Sequence, residues 1–203
     1  MKFEAFISQY DVVGTIVLLE GKREVRPEDE QKLFELGKLL ALSTTNMTFR
    51  SGGASGSDEL FSNGVCAVAP ERLHVILPYA GHRKSVNKNY NSISLDEISL
   101  AAEPEAIYHS RSNKKTEKLV DQFVAGEKNR FTVKAAYIIR DSIKAVGANG
   151  IKPATVGIFY DDLNNPRTGG TGHTMTVCLN KNIPVIDQQV WFQWLKGLPD
   201  QAT

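Results

Sequence analysis

The sequence predicts an α/β fold of the Rossmann-like kind: a doubly wound, mainly parallel sheet with helices on both faces. Two observations indicate it. Short apolar runs bounded by glycine or proline alternate with segments of helical periodicity. Two glycine-rich segments each lie between a predicted strand and a predicted helix, where such folds place their ligand-binding loops. The composition, 203 residues with 41% apolar and 23% charged, is typical of one globular domain. We therefore expect a single domain over residues 1–203, with an irregular and helical, lid-like insertion at about 80–150.

The first half of the chain predicts the order β-α-β-α-β. An unbroken apolar run over residues 14–21 is typical of a strand buried on both faces. Pro27 begins a helix whose apolar stripe includes Leu33, Leu36 and Leu40. Further strands are predicted over residues 47–52 and 73–79, with a helix between them. Parallel strands joined by right-handed helical crossovers follow from this order.

The second half predicts a helix after a long segment without clear periodicity, residues 80–130, in which we expect only a short helix at 95–102. The helix covers residues 131–147 and ends at Gly147. A strand over 153–160, a helix and a buried strand over 183–187 follow. The chain then closes with a helix whose apolar side is formed by Trp191, Trp194, Leu195 and Leu198.

The overall charge excludes a strong general attraction to nucleic acid or membranes. The chain has 24 basic and 23 acidic residues, for a net charge of +1. It contains no run of 18 apolar residues and no apolar segment near its first residue, so we expect a cytoplasmic protein without a membrane span. Cys66 and Cys178 have neither metal-ligand nor redox spacing, and no metal site is predicted.

The two glycine-rich segments indicate a phosphate-binding site. The first is TFRSGGASGSDELF, residues 48–61, and the second is RTGGTGHT, residues 167–174. Both lead into a helix, whose first amides and positive dipole end favour an anion, and glycine removes the Cβ atoms that would block its approach. We call residues 51–58 the first glycine turn and residues 167–174 the second. The candidate ligand-binding residues are Arg50, Ser51, Gly52, Gly53, Ser55, Gly56, Asp58, Arg140, Thr168, Gly169, Gly170, Thr171, Gly172, His173 and Thr174.

The kind of ligand follows from motifs that the turns lack. Neither turn has the spacing of a P-loop, and neither has a full GxGxxG with the acidic residue that binds a ribose. A mononucleotide or a comparable molecule is therefore expected, with no required cofactor. Simpler interpretations stay open: the glycines shape tight turns, Asp58 caps a helix, and Arg50 and Arg140 form ion pairs.

The glycine turns resemble those of the SLOG superfamily, which joins the DNA-processing protein DprA to the LOG phosphoribohydrolases. SGGASGSDELF is similar to the turn of the DprA branch, and TGGTGHT occupies the place of the LOG motif PGGxGTxxE. The resemblance extends over most of the chain, where VILPYAGHR, IIRDSIKAVG and GGTGHTMTVCLNKNIPVID are similar to phage-type members. It implies nucleotide binding and a homo-oligomer.

The resemblance also implies a hydrolase as an alternative, but the LOG motif is altered. Thr168 replaces its proline, His173 its threonine and Thr176 its catalytic glutamate. A threonine cannot stabilise a cationic ribosyl centre by charge. If the protein cleaves the N-glycosidic bond of a nucleoside phosphate, the candidate catalytic residues are Asp161, Asp162 and His173.

A second alternative is single-stranded DNA binding of the DprA kind. Two basic segments, residues 83–88 and 111–118, lie close in sequence to Tyr90 and Tyr108. Basic segments with aromatic residues contact phosphates and stack on bases. Solvated loops have the same composition, so both interpretations stay open.

Overall fold

The structure is a computed structural model of the chain, and it describes residues 1–83 and 90–196. The predicted Rossmann-like fold is confirmed: six strands form one sheet in the order β4-β3-β2-β1-β5-β6, and every pairing is parallel. The strands are β1 Ile16–Gly21, β2 Thr48–Ser51, β3 Leu73–Leu77, β4 Asn91–Ser94, β5 Val156–Tyr160 and β6 Val185–Ile186. The helices are α1 Phe3–Tyr10, α2 Pro27–Ser43, α3 Ser57–Cys66, α4 Pro104–Ser110, α5 Glu117–Val124, α6 Val133–Val146, α7 Gly169–Asn180 and α8 Gln188–Trp191.

Alternating side chains of the strands build two cores, one on each face of the sheet. Val17 and Leu19 of β1 point to the first face, where they pack with residues of α1, α2, α3 and α8. Leu18 points to the second face, where it packs with residues of α4, α5, α6 and α7. Strand β1 therefore buries both of its sides, which is why its sequence is almost entirely apolar.

The helices that follow the adjacent strands β1 and β5 pack on opposite faces of the sheet. The helix that follows β1 is α2, which packs on the first face, and the helix that follows β5 is α7, which packs on the second. Such a reversal opens a crevice at the carboxyl ends of the two strands, which is where open α/β sheets bind ligands.

Four elements were missed by the sequence prediction. Helix α1 precedes the first predicted strand, and strand β4 and helices α4 and α5 lie in the segment that lacked clear periodicity. The four-residue β4 is polar, NSIS, and is formed because it pairs with β3 along its length. The short helix expected at 95–102 is two 3₁₀ turns, Leu95–Glu97 and Leu100–Ala102. Leu198 lies outside the described residues.

Candidate functional site

The crevice between β1 and β5 holds a cavity of about 530 Å³, which we call the cleft. The first glycine turn contributes Ala54 and Asp58 to its wall, and the second contributes residues 168–171. Residues 20–23, at the carboxyl end of β1, and side chains of α6 complete the wall. The two glycine turns therefore border one space at the carboxyl edge of the sheet.

The first glycine turn is closed by the carboxylate of Asp58. Its Oδ1 accepts a hydrogen bond from the amide of Gly21 at 3.3 Å, and its Oδ2 accepts from Gly52 and Ala54 at 3.2 and 3.4 Å. Asp58 is buried, so these bonds satisfy a charge that water does not reach. At the outer side of the turn Arg83 pairs with Glu59 at 2.8 Å and donates to the Gly53 carbonyl. The amides of Gly52 and Ala54 thus point inward, to Asp58.

A close approach of backbones requires glycine at position 56. Gly56 has φ +79°, and a Cβ there would collide with the backbone of Arg23 in the loop after β1. The amide and hydroxyl of Ser57 both donate to the Lys22 carbonyl, at 3.1 and 2.7 Å. The first turn is consequently packed against the β1 loop.

The second glycine turn presents an open helix N-terminus to the cleft. Helix α7 begins at Gly169 after Thr168, whose side chain makes no capping hydrogen bond. The amides of Gly169, Gly170 and Thr171 have no acceptor within the helix, and both glycines are exposed. Lys22 Nζ holds the turn by donating to the Thr168 carbonyl and hydroxyl, each at 2.7 Å.

A buried ionic cluster forms the floor of the cleft. Lys144 Nζ lies 2.6 Å from a carboxylate oxygen of Glu20 and 2.9 Å from one of Asp141, which also pairs with Arg140 Nε at 2.8 Å. Arg140 Nη1 donates to the Gly52 carbonyl as well, so the cluster supports the first turn from below. Glu20, Arg140 and Asp141 themselves line the cleft.

The two carboxyl groups of this cluster have opposite pKa shifts. Burial raises the pKa of Glu20 to about 8, although the charge of Lys144 opposes it. Burial also acts to raise the pKa of Asp141, but the charges of Arg140 and Lys144 outweigh burial and hold this pKa below its ordinary value. Glu20 therefore holds its proton to a higher pH than Asp141 does.

Cationic and aromatic side chains lie around the open side of the cleft. Lys22 is half-buried, and Arg23 and Lys134 are exposed. The ring of Tyr137 lies 5.7 Å from the guanidinium carbons of both Arg23 and Arg140. Cations of this kind pair with anions, and an aromatic ring of this kind stacks on another ring.

Several predicted site residues lie away from the cleft. Asp161 and Asp162 line a neighbouring cavity of about 410 Å³, where Asp161 pairs with Lys22 at 3.3 Å and accepts from the Arg167 amide. Arg50 extends under α6 and donates to the Lys144 carbonyl at 3.0 Å. His173 lies 2.9 Å from the Ser142 hydroxyl, and its burial lowers its pKa.

The remaining predicted residues do not line the cleft themselves. The Thr174 hydroxyl donates to Glu20 at 2.9 Å, and Thr176, at the position of the LOG glutamate, is exposed and donates back to the Gly172 carbonyl at 2.8 Å. Ser51 is fully buried and Ser55 is exposed. Gly53 has φ +64°, and a Cβ at Gly172 would collide with the Arg167 backbone.

The structure adds cleft residues that the sequence prediction did not name: Glu20, Lys22, Arg23, Lys134, Tyr137 and Asp141. Glu20 had a visible signal, because it is a charged residue at the end of the apolar run of β1. So did the charged residues of the segment IIRDSIK, since three of them fall on a helix face that is otherwise apolar. The exposed cations Arg23 and Lys134 had no such signal in the sequence.

Among the described residues, no group of three or more histidine, cysteine or acidic residues is arranged to hold a metal.

Comparison with known proteins finds similarity at the level of the fold. No protein-family model matches the chain. No curated protein matches it either. Among solved structures, DprA of Helicobacter pylori, described for its single-stranded DNA binding mode, is similar with a TM-score of 0.46 and 18% identity; the match covers 86% of this chain and 65% of that one. DprA of Streptococcus pneumoniae is similar with a TM-score of 0.45 and 11% identity, over 86% of this chain and 50% of that one. The chain thus spans less than two thirds of either neighbour.

In the part of the chain that the structure describes, no helix has the length and apolar character to cross a bilayer.

Proposed function

We propose that the protein binds a nucleotide or a nucleotide-derived phosphorylated ligand in the cleft. The observation that carries the proposal is the uncapped N-terminus of α7, which opens into a cavity of about 530 Å³ beside Lys22 and Arg23. Amides at a helix N-terminus favour a phosphate, and nearby cations add to its binding. The cavity volume lies within the range of small-molecule sites, about 300–1,000 Å³.

The nucleoside part of the ligand lies against α6 in this proposal. Val133, Tyr137 and Ile138 supply an apolar and aromatic wall on which a base stacks. Asp141, being ionised, accepts a hydrogen bond from a ribose hydroxyl. The first glycine turn supports the cleft through Asp58 and contributes no free amide from Gly52 or Ala54.

The test is a thermal-shift series with AMP, GMP, CMP, UMP and inorganic phosphate on the purified protein. A nucleotide at 100 times its dissociation constant stabilises the fold by about 2.7 kcal/mol. Gly169→Asp places a carboxylate at the start of α7 and should abolish this stabilisation. Gly169→Asn is the matched control, because asparagine has the same shape and tolerates the φ of +66° at this position.

Two outcomes would contradict the proposal. If no nucleotide stabilises the wild-type protein, the cleft is not a nucleotide site of useful affinity. If Gly169→Asp is stabilised as strongly as Gly169→Asn, the ligand does not use the α7 N-terminus.

Hydrolysis of the N-glycosidic bond is a second candidate, favoured by the opposite pKa shifts of Glu20 and Asp141. Protonated Glu20 would give its proton to the leaving base as the C–N bond breaks, and ionised Asp141 would stabilise the positive charge on the ribosyl carbon. Water then adds to that carbon, and its proton returns to Glu20. Chromatography after incubation with the same nucleotides would detect a free base, and Glu20→Gln should stop its release. Binding without release of a base rejects this candidate.

Single-stranded DNA enters the same series as a further probe. A DNA-binding protein would bind an oligonucleotide tightly at low salt and lose affinity steeply as salt increases. Of the two basic segments, residues 84–88 lie outside the described residues, while Arg83 is paired with Glu59 and Arg111 with Asp121.

From the family resemblance we also propose a cytoplasmic homo-oligomer of phage type, and sedimentation analysis tests its oligomeric state.

A further inference from the structure

Arg50 is a buried cation that pairs with no anion among the described residues. It is 5% exposed, and its only hydrogen bond to the described residues joins Nη1 to the Lys144 carbonyl. Its Nε atom is buried and has no hydrogen-bond acceptor among them. Burial lowers the pKa of Arg50 to about 10, with no acidic residue opposing the effect. A buried charge is costly unless a counter-charge pairs with it. Binding of an anion to this guanidinium would therefore be favourable.

Arg50 lines an open groove on the second face of the sheet, which we call the Arg50 groove. The groove has a volume of about 370 Å³ and lies between strands β1 to β4 and residues 150–152. Ile16, Ile76, Ile93 and Ile151 form its apolar sides. Lys152 adds an exposed cation and His74 an imidazole whose pKa is lowered by partial burial and by the charge of Arg50, and no aspartate or glutamate is among the described residues that line the groove.

We propose that the Arg50 groove binds a small organic anion, with its carboxylate or phosphate on Arg50 and its apolar part between the isoleucine side chains. A guanidinium pairs with either anion through charge-assisted hydrogen bonds. The lining of the groove is basic and apolar, which disfavours cations and strongly polar ligands such as sugars. None of its lining residues belongs to the cleft, so the groove is a second, separate site.

The test is a titration that observes the Nε–H signal of Arg50 by ¹⁵N NMR. The probes are benzoate and phenyl phosphate, with benzyl alcohol as the neutral control of similar shape. The titration uses Gly169→Asp, which closes the α7 N-terminus, so that phenyl phosphate binding in the cleft does not contribute. We expect the Arg50 signal to shift to saturation with at least one anion and to stay in place with benzyl alcohol.

Substitutions separate binding from folding. Arg50→Met should abolish the stabilisation by the anion, measured as a thermal shift, whereas Arg111→Met, which removes an exposed arginine elsewhere, should leave it unchanged. If Arg50→Met does not fold, Ile93→Trp replaces it, because the indole fills the groove and leaves Arg50 in place. An Arg50 signal that neither anion moves at millimolar concentration would overturn the proposal, as would a thermal shift that survives Arg50→Met or Ile93→Trp. A benzoate response in a protein that binds no nucleotide would leave this proposal standing and reject only the proposed function of the cleft.

Discussion

The two glycine turns have similar compositions and different structures. In the first, the carboxylate of Asp58 accepts the amides of Gly52 and Ala54, and the backbone at Gly56 packs against the β1 loop. In the second, Thr168 gives α7 no side-chain cap, and Gly169 and Gly170 are exposed to the cleft. The first turn therefore directs the amides of Gly52 and Ala54 to its own carboxylate, whereas the first amides of α7 have no acceptor within the helix.

The difference follows from the position of an acidic residue. Asp58 lies in the first turn of α3, where it reaches back to the amides of its own loop. The opening residues of helix α7 include no acidic residue. A carboxylate that accepts the amides of its own glycine-rich turn removes those donors from any ligand.

The largest effect expected from this comparison is that of a side chain at Gly56. Gly56→Ala adds backbone strain at φ +79° and a collision with the Arg23 backbone, and we expect it to lower the free energy of unfolding by about 4 kcal/mol. Gly150→Ala is the matched control: its φ is +78°, but a Cβ there meets open space, so only the strain of about 1 kcal/mol remains. Urea denaturation measures both. Equal losses would show that packing against the β1 loop contributes nothing.

Asp58 should have the next largest effect. Asp58→Ala leaves the buried amides of Gly21 and Gly52 without their acceptor, and we expect a loss of about 3 kcal/mol in the free energy of unfolding. Asp162→Ala removes an exposed carboxylate and should change the same quantity by less than about 0.5 kcal/mol. A small loss for Asp58→Ala would mean that water replaces the carboxylate and that the first turn is as open as the second.

The proton held by Glu20 should appear in the pH dependence of stability. The pKa of this carboxyl group is about 8 in the folded protein and near 4.5 when it is unperturbed, so the folded state alone retains the proton between these values. The free energy of unfolding therefore falls as pH rises through that window, by at most about 1.4 kcal/mol per pH unit. Glu20→Gln removes this contribution.

Denaturation at pH 5, 6.5 and 8 tests this difference. The wild-type protein should lose stability relative to Glu20→Gln as the pH increases. Burial lowers the pKa of His173, which favours the folded state as pH rises toward 6.5, but His173 is present in both proteins and cancels in the comparison. If the free energy of unfolding depends on pH in the same way in the wild-type protein and in Glu20→Gln, the raised pKa of Glu20 is contradicted.

The smallest effect concerns an exposed cation at the open turn. Lys134 lines the cleft, and Lys134→Ala should weaken binding of the stabilising nucleotide about threefold, which corresponds to roughly 0.6 kcal/mol. Lys118→Ala removes the same charge from an exposed position outside the cleft and is the control. Calorimetric titration measures both affinities. Equal affinities of the two variants would place the phosphate away from Lys134.

Local sequence patterns predicted most of the fold. The apolar run of β1, the stripe of α2 with its proline and the segment of α6 each contain enough apolar residues at the right spacing to specify their element. Strand β4 was missed because it is polar and short, and its pairing with β3 forms it. Helix α1 was missed because an eight-residue segment has a weak pattern of its own.

The candidate site was predictable only in part. The glycine turns indicated the carboxyl edge of the sheet, and Arg140 was named before the structure placed it in the cleft. Arg50 was named for the same site but lies in a separate groove, because it points to the same face as Glu20 but lies nearer the amino ends of the strands, beside Ile16 and Thr48.

The sequence by itself determined the α/β order, the parallel sheet and the two glycine turns, because periodicity and glycine positions are properties of neighbouring residues. The tertiary structure alone decided which turn is open, since Asp58 closes its own loop through bonds whose geometry the sequence does not specify. It also decided that Glu20, Asp141 and Lys144, on two distant segments, meet under the cleft. Electrostatic interactions depend on distance in space and on burial, and both are set only when the chain has folded.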